Sequence, residues 1–264
     1  MKRFLPFIFF LAVMSSCDEE NLSLPTPVEL TFIAEPLQTL NNNLIVDGVE
    51  INISRLEIDG TRDAGGNVLL ERQFNQEDGY IDLRSQINNK ILIDIPQGIY
   101  NSLKFRLNFQ RDEEEREEIT EELTEWLEEE YEEDDEERNE DLGDIIEEYL
   151  EDVNPAFLFT ATANRNGTTF KIIMPLNESV IFDIPFINND GERNISLIKD
   201  QRQEFELVFN PDYWFSITSF DALNNAQKGI IEEEEYVFLH KQVNPALYSL
   251  IIGRIEESTV VKTK

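Results

Sequence analysis

Cysteine is almost absent: Cys17 is the only one in 264 residues, which excludes an internal disulfide framework. Histidine is as scarce. His240 stands alone, so no histidine-based metal cluster can form, and a Ser-His-Asp arrangement would have to use this one residue. It follows Tyr236-Val237-Phe238-Leu239 and reads as a surface or strand-end histidine. No Gly-rich phosphate loop and no zinc motif is present. Basic residues are few, with 22 Lys and Arg against 55 Asp and Glu, a net charge of −33. Nucleic acid and anionic lipid surfaces would repel such a chain. Long apolar runs are lacking too. The longest, residues 4–14, has 11 residues, short of the roughly 20 that span a bilayer as a helix.

That run has a meaning of its own. Lys2 and Arg3 precede it and Ser15-Ser16 follow it, which is the layout of a secretory signal. The lone thiol then stands directly behind the leader. Val13-Met14-Ser15-Ser16-Cys17 resembles a lipobox, in which the cysteine is acylated and becomes the new N-terminus; Met14 replaces the usual Leu. Asp18-Glu19-Glu20 resembles the acidic export signal of surface lipoproteins of Bacteroidota. In enterobacteria an Asp at that second place would instead imply retention at the inner membrane. The expectation is a signal peptide over residues 1–16 and a lipidated tether over 17–27. The lipid would hold the protein on the outer membrane, facing the cell exterior.

Removal of Lys2 and Arg3 with the leader takes the charge to −35, and it is unevenly spread. Residues 111–152 hold 25 Asp or Glu against three Arg, a net of −22, leaving −13 for the rest of the mature chain. Within this acidic stretch Ile119, Leu123, Trp126, Leu127 and Tyr131 recur at helical spacing. So do Leu142, Ile145, Ile146, Tyr149, Leu150 and Val153. A disordered acidic tail would lack such stripes. The spacing predicts a helical hairpin over 111–153, with its bend in the strongly polar stretch 134–143.

Elsewhere the period is two. Alternation at 28–32 and 49–58, further segments at 68–70, 80–83 and 90–95, and Leu103, Phe105, Leu107 and Phe109 on one side of 100–109 all read as strands. More follow at 157–163 and 168–174, around the hairpin signal Asn166-Gly167, and at 179–184, 194–198 and 204–209. Asn244-Pro245 opens a C-terminal helix. Short strands between turn signals predict a mainly β chain, an antiparallel sandwich over 28–264 with the acidic insertion. Ile93-Asp94-Ile95-Pro96-Gln97-Gly98-Ile99-Tyr100, with the strand 49–58 upstream, resembles β-sandwich lipoproteins of Bacteroidota that have prealbumin-like domains of unassigned function. The resemblance covers residues 28–109 and implies a prealbumin-like fold at the cell surface, with no catalytic residues to carry over.

Together these features predict a non-enzymatic surface lipoprotein that binds a protein or glycan partner. The alternative is a cation-binding or structural envelope protein. Ca²⁺ suits the abundant oxygen donors, although Asn188-Asn189-Asp190-Gly191-Glu192 matches only part of an EF-hand loop and reads first as a turn. Tyr213 and Trp214, behind the turn Asn210-Pro211-Asp212, are the candidate ligand-binding aromatics, with rim packing of a sandwich as the other explanation.

Overall fold

The computed structural model describes residues 22, 24–85, 89–109, 114–128, 135–152, 155–176, 180–199 and 201–264. Cys17, Asp18, Glu19 and Glu20 therefore lie outside the described residues. The chain is mainly β. It begins with β1 (Pro25–Ala34), the two-residue β2 (Gln38–Thr39), the 19-residue β3 (Leu44–Arg62) and β4 (Val68–Gln73). A single turn, α1 (Gln76–Gly79), leads to β5 (Tyr80–Asp82), β6 (Lys90–Pro96) and β7 (Gly98–Phe109). The acidic insertion follows as α2 (Glu114–Glu128) and α3 (Asp135–Asp152). Then come β8 (Phe157–Arg165), β9 (Thr168–Leu176), β10 (Ile181–Ile187), β11 (Ile195–Leu197) and β12 (Gln203–Phe209). The last segment runs α4 (Pro211–Phe215), α5 (Phe220–Asn224), β13 (Lys228–Ile231), β14 (Glu234–Phe238), α6 (Pro245–Ser258) and β15 (Val260–Thr263).

All strands join one sheet in the order β13-β14-β9-β8-β3-β7-β10-β15-β12-β1-β6, with β2, β4 and β5 on β3 and β11 on β7. The central strand is β3, which changes partners along its length. Residues 44–51 pair with β8, and residues 53–62 pair with β7, with a register shift between Ile53 and Arg55. A bulge of this kind bends the strand and increases local twist. The sheet curls far enough for strands distant in the order to meet. Phe157 of β8 touches Phe209 of β12 at 6.2 Å between ring centres, and Phe105 of β7 meets Phe205 of β12 at the same distance. The side chains pointing into the curl, including Leu103, Phe105, Leu107 and Phe109 on β7, form the main core.

The expectation of an antiparallel arrangement is corrected. β1 pairs parallel to β12, β10 to β15, and β14 to β9, so the sheet is mixed. Each parallel pair joins strands far apart in the sequence, with several other elements between them, so no hairpin turn sets their relative direction. Turn chemistry, by contrast, acts as the sequence predicts. Asn166 and Gly167 both adopt positive φ, 56° and 88°, and join β8 to β9 by a two-residue turn.

The short β15 lies between β10 and β12 and supplies the ladder between the β12-β1-β6 strands and the rest. Its Val261 is fully buried. Deleting residues 260–264 is expected to cost more than the loss of that one side chain, about 3 kcal/mol or more. A denaturant titration reads this directly, and an unchanged midpoint would refute it.

Candidate functional site

The acidic insertion is a helical hairpin with a core of its own. Leu123 and Trp126 of α2 and Leu142, Ile146 and Tyr149 of α3 are buried against Ile173 of β9 and Phe238 of β14, on the side of the sheet away from the main core. The Tyr149 and Phe238 rings meet edge to face at 5.6 Å. Leu127 and Leu150, from the same stripes, remain partly exposed. Ile119, Tyr131 and Val153 are outside the residues whose side chains are described.

Residues 135–143, which the sequence assigns to the bend, are helical. α3 already begins at Asp135, and Gly143 sits inside it, fully covered. Glycine normally weakens a helix interior, but here it permits close approach. A Cβ on Gly143 would overlap the carbonyl oxygen of Ile230 in β13, and one on Gly229 would stand 3.0 Å from the Gly143 Cα. The helix thus rests almost directly on strand backbone. The helical stripe running through Leu142 and Ile145 was the signal that Gly143 belongs to the helix.

Polar contacts pin the hairpin further. Trp126 Nε1 donates to the carbonyl of Arg138 at 3.1 Å, tying α2 to α3, while the Arg138 guanidinium covers the indole 4.7 Å from its centre. Gln242 Nε2 donates to Thr124 Oγ1 at 3.0 Å, and Gln227 Nε2 donates to Asn139 Oδ1 at 2.8 Å. Asn244 organises the loops that carry these glutamines. Its Nδ2 donates to the carbonyls of Gln227 and Phe238, and its Oδ1 accepts the Gln227 N–H. Pro245 does open α6 as the sequence predicts, but the Asn244 side chain makes no cap bond to that helix. Sequence reasoning had no pattern to single out Gln227 or Gln242.

What the hairpin presents outward is charge. Glu121, Glu125 and Glu128 on α2 and Glu137, Glu140, Asp144, Glu147 and Glu148 on α3 are exposed. Pairs such as Glu140 and Asp144 are four apart and repel, each destabilising the helix by a few tenths of a kcal/mol. The hairpin core offsets that repulsion.

Its position relative to the chain's start is defined by Arg62. That guanidinium donates to the carbonyls of Leu22, Gly65, Gly66 and Gln97, clamping the first described residue beside the Gly98 end of β7. The chain enters the acidic insertion from the other end of β7, after Phe109. Twelve strand residues lie between, a path of about 40 Å.

His240 follows β14 and is buried, not on the surface. Its ring stacks on Phe238 at 5.3 Å, lies 6.3 Å from Tyr248, and accepts the Gln242 N–H at Nδ1. Burial, aided by the charge of Lys241, pulls its pKa down to about 4. The Tyr213–Trp214 pair is split. Asn210 caps α4 through the Tyr213 N–H, and the helix turns Trp214 into the core against Phe157 and Phe159, with Nε1 donating to Ser258 Oγ at 2.9 Å. Tyr213 stays 37% exposed, but the Arg254 guanidinium lies 3.9 Å over its ring and its hydroxyl donates to Glu257. At 188–192 the oxygens serve the turn itself. Asn188 Oδ1 accepts the N–H groups of Asp190 and Glu192, both at 2.9 Å. Among the described residues, no group of three or more His, Cys, Asp or Glu is arranged to hold a metal ion.

No protein-family model, curated protein or solved structure matches the chain.

Two outcomes follow from the dock. Gly143→Ala is expected to force α3 off β13 and cost at least about 2 kcal/mol, with earlier proteolysis within 111–152; equal stability and cleavage would contradict the close-approach role. For His240 the folded pKa lies below the unfolded value of about 6.5, so its contribution is fully present above pH 6.5 and is lost as pH falls towards 4. The full effect is of order 3 kcal/mol. The difference in unfolding free energy between wild type and His240→Gln, measured from pH 7 to 4, isolates it from the carboxylates.

Proposed function

We propose that this protein is a lipid-anchored lipoprotein of the outer membrane, facing the cell exterior, that uses its acidic hairpin to bind a cationic protein partner without catalysing a reaction. One observation carries the reading: the hairpin is folded and docked by a dedicated core, with its acidic faces outward. A solubilising acidic segment needs no such dock. Rigid display of like charges on two helices suits recognition, because complementary potential accelerates encounter and rejects partners of the wrong sign. The leader ending at Ser16, the lone Cys17 and Asp18-Glu19-Glu20 support the anchor and the surface destination. The clamp on Leu22, remote from the hairpin along β7, supports presentation of the acidic faces away from the membrane.

Two experiments test this. Cells labelled with palmitate should incorporate it into the wild type and not into Cys17→Ser, and external protease should degrade the wild type on intact cells; unlabelled wild type would sink the anchor. For the hairpin, polylysine is the probe. Exchange of Glu137, Glu140, Asp144, Glu147 and Glu148 for Gln or Asn should weaken binding by about tenfold or more. The same number of changes on the body, at Glu35, Asp59, Asp94, Asp190 and Glu204, should weaken it far less. Equal losses would reject the hairpin as the recognition surface. Saturable heat on Ca²⁺ titration, abolished by the hairpin variant, would favour a cation-binding function instead.

A further inference from the structure

A groove of about 490 Å³ opens where β4, β3, β7 and the start of β10 run side by side. It lies at the bulge in β3. The register shift between Ile53 and Arg55 leaves Ser54 without an opposite residue on β7, and its hydroxyl donates to the Asn108 carbonyl at 3.2 Å. Bulges next to functional sites are common because they re-aim side chains. The volume falls within the range of small-molecule sites, roughly 300–1,000 Å³.

The lining has two characters. On one side stand Arg55, Gln73 and Asn108, a guanidinium and two planar amides, with the Ser54 hydroxyl beside them. On the other are Phe74, half-buried, Ile181, 53% exposed, and Phe109, which forms the floor at 5% exposure. Both aromatic rings are held in place: Arg72 covers Phe74 at 5.0 Å, and Phe182 meets Phe109 edge to face at 4.7 Å.

The groove's charge is already balanced. Arg55 contacts Glu57 at 3.0 Å and Glu71 at 3.7 Å, and donates to Asn108 Oδ1 at 3.2 Å. Arg106 continues the ladder to Glu57 and Asp183. The carboxylates around Arg55 and Arg106 disfavour an anion beside them, and the chain's net charge of −33 repels one. What the groove offers is fixed hydrogen-bonding groups along one wall and an apolar, partly aromatic surface along the other. A ring with hydroxyls on its edge and C–H bonds on its face matches both walls. We propose that this groove binds a neutral saccharide. It is separate from the acidic hairpin and does not depend on the hairpin's function.

The test uses the full lipidated chain in a detergent without a sugar headgroup. Saturation-transfer NMR and calorimetry are run with maltose, cellobiose, lactose and N,N′-diacetylchitobiose, and with galacturonic acid as the charged comparison. At least one neutral disaccharide should bind saturably and better than the uronic acid. Phe74→Ala should weaken that binding by about tenfold. Gln73→Ala and Ile181→Ser, both on the exposed rim, should each weaken it with the melting temperature retained, and the hairpin charge variant should leave it unchanged. The proposal is overturned if no neutral sugar binds, if the uronic acid binds better, or if the rim variants bind as the wild type does.

Discussion

A four-residue strand next to the C-terminus holds the sheet in one piece. β15 enters between β10 and β12, parallel to the first and antiparallel to the second, and it alone connects their ladders. The strands β12, β1 and β6 would otherwise meet the remainder only through side chains. Because β15 follows every other described strand in the sequence, the ladder cannot be complete until all of them are available. Its placement also fixes α6, whose Tyr248, Ile251 and Ile255 seal the core beside it. Trp214 is locked in the same region through its bond to Ser258, at the end of α6.

Local order was legible wherever local chemistry decided it. The alternating runs became β1, β3 and β7, and Asn166-Gly167 became the turn between β8 and β9. Pairing partners were not legible, because β15 or β14 as isolated segments contain nothing that specifies a parallel neighbour. The same limit applied to Tyr213 and Trp214. Asn210-Pro211 suits a turn and a helix start equally, and only the short helix α4 makes one aromatic core and the other a platform for Arg254. The groove at Ser54 was invisible for a related reason: a bulge is a property of two strands in register, not of either sequence.

The hairpin illustrates how opposing effects are settled by geometry. Its helices carry repelling charges along most of their exposed length, and their apolar stripes are narrow. What compensates is closeness. The glycine pair at 143 and 229 brings helix and strand backbones together, so a few buried side chains make dense contact. The polar ties from Gln227 and Gln242 then fix register, a role that apolar contacts alone perform poorly.

The clamp at Arg62 has a mechanical consequence. Force applied to the chain ahead of Leu22 enters the fold at Pro25, along the axis of β1. That strand is flanked by β6, antiparallel, over 25–31 and by β12, parallel, over 28–34, so both sides are paired at 28–31. A pull from its N-terminal end therefore loads two rows of hydrogen bonds lengthwise and together, in shear, instead of peeling them one at a time. Loaded at that end, the fold resists through its first strand and does not unravel from it.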